Sequence, residues 1–546
     1  MVHFFDLPRE VRNMIYVAYV SIKGGYVLDF NSNTLKGANN ESIDLAFMLT
    51  CKSVAKEMKG IAMSSNIITF STFHSQEHQA IAGRFGVMIR TLHSKREHKW
   101  DHIHPDTLSV PEDIWRELSE AHPRFAPYVD VVKNRSNIYT VQWDNVGPAG
   151  SCGETPSVFR SFIRSALQTI AAYKHRFNVE QLGRFENGKY DFDHTPLESL
   201  VNVNPNLWTI PTLQELEKTI SSMGRGPAKT VAHAWDVDWP GYKINQIKHH
   251  YSAAAVAIRF LEYLSKDCRS GIRNIVLNED RAAVAFAECH GLGFVPYCQE
   301  NPHLRVQRRV SMWRTVFQTT TANVNHHVMP PHEDISLHSN DISYSVAVWI
   351  LEALELKSAG MPPDSFTLTL DGDWTCSEIF HTVVQRDAAW QAAIDLCMER
   401  RILPPLSWDL RRRDSRNRRG FDGEAYGQDN SWYSFEAFPQ AIQDIVAGNS
   451  IIKCNFALGE AWDVERLVEE NKGRTLDDWK AAWFLREKRH FDPDPPSPNW
   501  VQLLCDNSWE TVLPCSLSDE AFEESTSRYF IEPASTAQPG ESFVET

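Results

Sequence analysis

The chain of 546 residues carries 55 Lys and Arg against 70 Asp and Glu, a formal net charge of −15, with 42% hydrophobic and 23% charged residues. That excess of acid repels phosphate backbones and anionic lipid, which excludes a general nucleic-acid or membrane-surface binder, while the hydrophobic share is that of folded domains. The length suits roughly two to four domains, and no run of about 18 apolar residues is present to span a bilayer.

The first stretch, DLPREVRNMIYVAYV, reads as a helix over 6–20. Leu7, Val11, Met14, Ile15 and Ala18 recur at three- and four-residue steps as an apolar stripe, and Arg9, Arg12 and Asn13 form the wet face. Pro8 suits the first turn, where its missing N–H costs nothing, and Asp6 and Glu10 sit at the positive end of the helix dipole. GGYVLDFNSNT then predicts a strand and turn. SIDLAFMLTCKSVAKEMKGIAM predicts a second helix with Phe47, Cys51, Val54, Met58 and Ile61 on one face, and SSNIITFSTF a turn and strand. These pieces make a compact unit over 1–73. Its stripe is either core, packed on the second helix, or a surface that needs a partner. Three or four large aliphatic side chains left in water would each forgo roughly 1.5–3 kcal/mol.

Residues 74–240 are largely irregular and rich in Pro, Asn and His, apart from a helix over 157–177 and a shorter one at TLQELEKTI. From 241 to 440 the chain reads as an α/β body. AAAVAIRFLEYLSKDCRSGIRNIVLNEDRAAVAF runs helix, loop, strand, helix, and YSVAVWILEALELKSAGMPPDSFTLTLDGDWTCSEIF repeats that grammar about ninety residues later. Two copies are a weak internal duplication, compatible with a half-open layer of the leucine-rich-repeat kind or with an ordinary α/β sheet. A long helix is expected over 378–402. In a helical region over 441–515, Thr475 and Asp478 have the spacing of a capping box. The acidic segment 516–546 is expected to be disordered. The fold class is therefore mixed α/β (α+β): a small N-terminal helical module with strands, a larger helix–strand body, and C-terminal helices.

Catalytic and metal-binding patterns are sparse. His98, Asp101 and His102 give H-x-x-D-H, but Pro105 argues against a continuing helix and for a solvated loop. His326, His327, His332 and His338, with Glu333 and Asp334, fall on a Pro-containing loop. Cys289 and His290, as sequence neighbours, point about 100° apart on a helix and form no catalytic pair. GRGPAKT at 224–230 lacks the glycine before Lys229 that a phosphate loop needs, and Pro227 removes a donor. The run Arg411–Arg419 reads as a solvated loop, with anion binding or nuclear import as alternatives. The acids Glu279–Asp280 and Asp371–Asp373 end two predicted strands. They would crowd one edge if those strands were neighbours, and would otherwise cap the helix that follows each strand. Ten scattered Cys without a CxxC, and no signal-peptide pattern, lead to the expectation of an intracellular protein, cytoplasmic or nuclear, with reduced thiols, no metal and no cofactor.

LPREVRNMIY resembles the LPxE[IV]RNxIY pattern that opens many fungal F-box-like proteins, and FMLTCKSVAKEMKGIAMSSNIITF is similar to their second element. IRNIVLNEDRAAVAFAECHGLGFVPYCQENPHLRVQRRVSMWRTVF is also similar to a segment of such proteins, so the likeness covers roughly 1–73 and 245–320. The resemblance implies a module that docks on the adaptor of a cullin–RING ubiquitin ligase, with Leu7, Pro8, Val11 and Ile15 on the first helix and Leu49, Cys51 and Val54 on the second as contacts. It implies a non-enzymatic receptor that holds a protein substrate elsewhere. A scaffold without a ligase link and a metal-dependent hydrolase are the alternatives. The strand-bearing insert between Tyr19 and Phe47 departs from an ordinary F-box and could pair with IITF, tying the module into the body.

Overall fold

The computed structural model describes residues 3–101, 103, 110–134, 153–173, 196–236, 247–317, 337–405, 435–485 and 490–491. The fold is mixed α/β, built on a seven-stranded sheet. In chain order the strands are β1 (Tyr26–Asp29), β2 (Thr34–Gly37), β3 (Ile67–Ser71), β4 (Asn274–Glu279), β5 (Arg305–Ser311), β6 (Leu337–His338), β7 (Phe366–Asp371), β8 (Ile452–Cys454) and β9 (His490–Phe491). The sheet runs β2-β1-β3-β4-β5-β7-β8, while β6 and β9 pair separately. Only the β1–β2 hairpin in the sheet is antiparallel. From β1 to β8 the parallel strands follow chain order.

Such an order has a consequence. When each parallel strand is added on the same side of the last, crossovers of one hand return across the same face. The alternation along the strands obeys it. Ile68, Phe70, Ile275, Leu277, Val306, Val310, Phe366, Leu368 and Leu370 are buried against the helices Ala253–Tyr263, Ser339–Glu355 and Phe438–Val446. The opposite face carries Thr69, Gln307, Arg309, Thr367, Thr369 and Lys453 at half-buried or exposed positions. Val276 alone on that face is buried, and it lies outside the core cluster.

The N-terminal unit feeds directly into this sheet. It comprises the helices α1 (Arg9–Val20), α2 (Lys52–Met58) and α3 (Ile61–Ser65) besides β1 to β3. Tyr26 and Val27 pair with Ile68 and Thr69, so the insert does tie to IITF, and β3 continues into β4 over five residue pairs. The expected single second helix is broken. A 3-10 turn at Phe47–Leu49 precedes α2, and Gly60, at φ 82°, separates α2 from α3. Few side chains tolerate that backbone region.

Residues 74–134 differ most from expectation. Gln76–Asp101 forms a 26-residue helix, α4, in a region read as irregular. His98, Lys99 and Trp100 lie in its last turn rather than in a loop, and His102 lies outside the described residues. Gly83 and Gly86 look like helix breakers in the sequence, yet both serve packing: a Cβ on Gly83 would sit 2.2 Å from Trp235 Cζ3, and one on Gly86 3.1 Å from Val284. Trp100 anchors an aromatic core with Trp115, Tyr128, Phe159 and Phe162. Trp390, Trp479 and Trp483 anchor another.

Further differences follow in the body. Residues 281–286, expected as a helix, form turns with Ala285 and Phe286 at positive φ. The long helix expected over 378–402 is interrupted by a π-helical stretch, Phe380–Gln385. β5 and β8 were not foreseen, and β5 separates β4 from β7, so the two repeat strands are not neighbours. GRGPAKT is a left-handed Gly224 leading into the helix Arg225–Asp236. The capping box forms: Thr475 Oγ1 donates to Asp478 Oδ2 at 2.7 Å, and Asp478 N donates to Thr475 Oγ1 at 3.2 Å. The stretches Arg411–Arg419, 318–336 and 516–546 lie outside the described residues. Among the described residues no helix is long and apolar enough to cross a membrane.

Candidate functional site: the outward face of the first helix

α1 is positioned by its aromatic and charged residues rather than by its aliphatic stripe. Tyr16 and Val20 are buried against Val54 and Met58 of α2. Phe4, Tyr19 and Phe47 close the cluster, with ring centroids of Phe47 5.2–5.7 Å from those of Tyr19, Phe4 and Tyr16. Beside it lies a charged clamp. Arg12 donates through Nε and Nη2 to Glu57 at 3.0 and 2.9 Å, Tyr16 Oη donates to Glu57 Oε2 at 2.8 Å, and Arg9 Nη1 approaches Glu57 Oε1 at 2.7 Å. Arg12 also donates to the carbonyls of Leu7 and Phe5. The hydrogen bonds from Arg12 hold the Glu57 carboxyl at about 2, below its ordinary range. Asn66 completes the unit: its Nδ2 donates to Val20 O and Ala62 O, each at 2.9 Å, and its Oδ1 accepts from Ile22 N.

Of the two readings of the stripe the structure has the outward one, and the wet face keeps only Arg9 exposed. Arg12 and Asn13, assigned to the wet face, are half-buried, and the aliphatic stripe points outward. Val11 is 39%, Met14 71% and Ile15 37% exposed. Val17 is exposed too, and so are Leu45 and Leu49 around the turn that packs on α1 through Phe47, Leu49 at 81%. The signal for this was in the sequence. Tyr16, Tyr19 and Val20 stand at i, i+3 and i+4, and large aromatics outcompete aliphatics for the interior.

The other expected contact residues separate. Leu7 is half-buried; Pro8 is exposed and is the N-cap of α1. Cys51 is exposed and caps α2, its sulfur accepting from Val54 N at 3.4 Å. Val54, expected at the surface, is 2% exposed and belongs to the core between α1 and α2, where no partner reaches it in this conformation. Met14 and Val17 lie on the outward face and were not among the expected contacts.

The candidate sites of catalytic type dissolve into structure. Cys289 and His290 are both buried. The imidazole bonds Ser252 Oγ at 2.7 Å and Ala285 O at 2.9 Å, and burial pushes it down to about 3 while pushing the Cys289 thiol up. That keeps both groups neutral. The strand-end acids do not crowd one edge, because β5 stands between their strands. Glu279 accepts from Ala253 N and Ala254 N at 2.9 and 3.2 Å, capping the preceding helix, and is paired with buried Arg308. Asp280 accepts from Thr72 Oγ1, Asp371 from Asn455, and Asp373 from Cys376 N and Trp313 Nε1. An open cleft of about 520 Å³ lies beside Glu198, Ser199, Asn202, Asn204 and Thr219, with no His, Cys, Lys or Arg in its lining. Among the described residues no group of three or more His, Cys, Asp or Glu could hold a metal ion. Comparison of the chain with family models, with curated proteins and with solved structures finds no match.

Proposed function

We propose that this protein is a receptor subunit of a cullin–RING ubiquitin ligase, its N-terminal module docking on the ligase adaptor and its α/β body holding a protein substrate. What supports the reading is the outward face of α1, where Val11, Met14 and Ile15 stand in water on a helix whose Tyr16 and Val20 pack against α2. An apolar surface left open beside a closed core is the usual mark of an interface. The chain would contribute no reacting group. Tethering raises the effective concentration of a substrate lysine near the ligase, and the transfer chemistry belongs to the rest of the assembly.

The test is co-expression of the full chain with the ligase adaptor. Co-purification that is lost in a Val11→Asp, Met14→Asp double variant with an unchanged thermal midpoint supports the receptor. Failure of the wild-type chain to co-purify, or retention of the complex by the folded double variant, overturns it. A second reading has its own observation. The β3–β4 ladder makes the module part of the main sheet, as befits a scaffold in which the F-box-like unit is structural. That reading expects the wild-type chain to purify without the adaptor.

A further inference from the structure

The face of the sheet opposite the core helices has a charge pattern that the chain as a whole does not predict. On β4, β5, β7 and β8 its side chains are those of residues 274, 276 and 278, of 305, 307, 309 and 311, of 367, 369 and 371, and of 453. They include three cations, Arg305, Arg309 and Lys453, all exposed, and one acid, Asp371, which is engaged by Asn455. In a protein with 70 acids and 55 bases, that is a local inversion of charge. None of the three cations has a carboxylate partner among the described residues. Arg305 Nη1 donates to Pro302 O and Leu304 O at 2.7 and 3.1 Å, and Lys453 Nζ to Gly448 O at 3.4 Å. Arg309 Nη2 donates to Gln307 Oε1 at 3.2 Å, and Gln307 Nε2 donates to Thr369 Oγ1 at 3.4 Å, a relay that orients the guanidinium. By contrast, the hairpin end of the same face is neutralised: Lys36 pairs with Asp29 at 2.6 Å.

We propose that this face docks an extended, acid-rich segment of a partner protein. Arg305 and Arg309 are four residues apart on β5, which sets them ~13 Å apart along the strand. Carboxylates at i and i+4 of an extended peptide repeat at the same interval. Lys453 shares a row across the sheet with Arg309, two strands and about 9.5 Å away, and offers a third contact to an acid on a neighbouring side chain. A guanidinium with no acid partner among the described residues, oriented by a neutral side chain at Arg309 and by backbone carbonyls at Arg305, is suited to carboxylate binding. A polyphosphate chain is the poorer fit, because the net charge of −15 repels it over its whole length whereas a short acidic segment meets only the basic patch. The inference stands apart from what α1 binds, since every residue it uses lies on the sheet.

The test is fluorescence anisotropy of the full chain with a short labelled peptide of alternating Glu and Ser. Expected are saturable binding that weakens with salt, a loss of about tenfold in affinity in an Arg309→Glu, Lys453→Glu variant of unchanged thermal midpoint, and no loss in Lys59→Glu, a charge change off this face. The absence of saturable binding overturns the proposal, as does equal affinity of the charge-reversed variant. A thymidine oligonucleotide of equal charge binding as tightly overturns it in favour of a general anion surface. Binding that appears only when Asp519, Glu520, Glu523 and Glu524 are replaced by their amides assigns the face to the chain's own C-terminal segment and overturns a partner as its occupant.

Discussion

Glu279 on β4 and Arg308 on β5 form an ion pair at 2.7 Å with side chains 0% and 2% exposed, under the helix whose first amides Glu279 also receives. Arg308 donates further to Ala287 O and Glu288 O and lies over the Trp349 ring, 4.7 Å from its centroid. One pair thus joins two strands, a helix start and the turn after β4. Removing one member of a buried pair strands the other, so Glu279→Ala is expected to cost about 3–5 kcal/mol. Arg308→Met is expected to cost less, because Glu279 keeps its two amide donors while the helix keeps its cap. Amide exchange in β4 and β5 reads this locally. Equal protection in both variants and in the wild type would show that the pair does not hold the sheet.

The Arg12–Glu57 clamp makes a prediction about acid. The carboxyl of Glu57 is depressed to about 2 by hydrogen bonds from Arg12, so its folded pKa lies below the unfolded one. Its contribution is fully present above about pH 4.5 and is lost as pH falls towards 2. Unfolding of the N-terminal unit, followed by exchange of the α1 amides, should therefore steepen over that window in the wild type. In Glu57→Gln the dependence should flatten. A wild type and a variant with identical profiles would remove the clamp from the energetics of the module.

Glu352 has the opposite sign. It is buried, accepts from Ser157 N and Oγ at 2.8 and 2.6 Å, and is pushed up to about 7 by burial. A carboxyl whose folded pKa is raised binds more protons folded than unfolded, so stability declines as pH rises from about 4.5 through 7. Glu352→Gln keeps an acceptor for Ser157 N without the charge. It is expected to stabilise the protein by on the order of 1–3 kcal/mol at pH 8 and to change little at pH 4. Thermal midpoints at the two pH values check it; a destabilised variant at pH 8 would mean that the carboxylate is satisfied where it is.

The two faces of α1 should respond oppositely to the same kind of change. Met14→Asp, on the outward face, is expected to move stability by less than about 0.5 kcal/mol. Val54→Asp places a carboxylate in the cluster of Tyr16, Val20 and Met58 and should unfold the module. Circular dichroism melts of the two variants distinguish them. Unfolding by Met14→Asp would show that the stripe is core after all.

What the sequence disclosed and what it hid divide along physical lines. The α/β class and the Thr475–Asp478 box were legible from the apolar period and the residue spacing, whereas the pairing of the insert with IITF, about 40 residues apart, stood only as one possibility. The orientation of α1 was written in two competing periods, because the aliphatic stripe locates one face and only the Tyr16, Tyr19 and Val20 period says which face turns inward. The intervening strand β5 was hidden. Its inward Arg308 breaks the apolar alternation between Val306 and Val310, and only the partner Glu279, 29 residues away, makes an inward arginine tolerable. Long-range packing decides the rest: Val54 is drawn into the core between α1 and α2, and β5 keeps the strand-end acids of β4 and β7 apart.

Gly83 brings local preference and packing into direct conflict. In an exposed helix interior, replacing Gly by Ala gains roughly 0.5–1 kcal/mol of backbone entropy. Here α4 crosses the helix Arg225–Asp236 so closely that the added methyl would lie 2.2 Å from Trp235 Cζ3 and 2.6 Å from His249 Cδ2. Both belong to rings, which must shift as units. Overpacking of this kind costs about 1–3 kcal/mol, more than the propensity gain, so Gly83→Ala is expected to lower the thermal midpoint. The less crowded Gly86, whose added methyl would meet Val284 at 3.1 Å, should lose less or break even. A Gly83→Ala variant more stable than the wild type would mean that the two helices stand further apart than described, and that α4 owes its glycine to something other than Trp235.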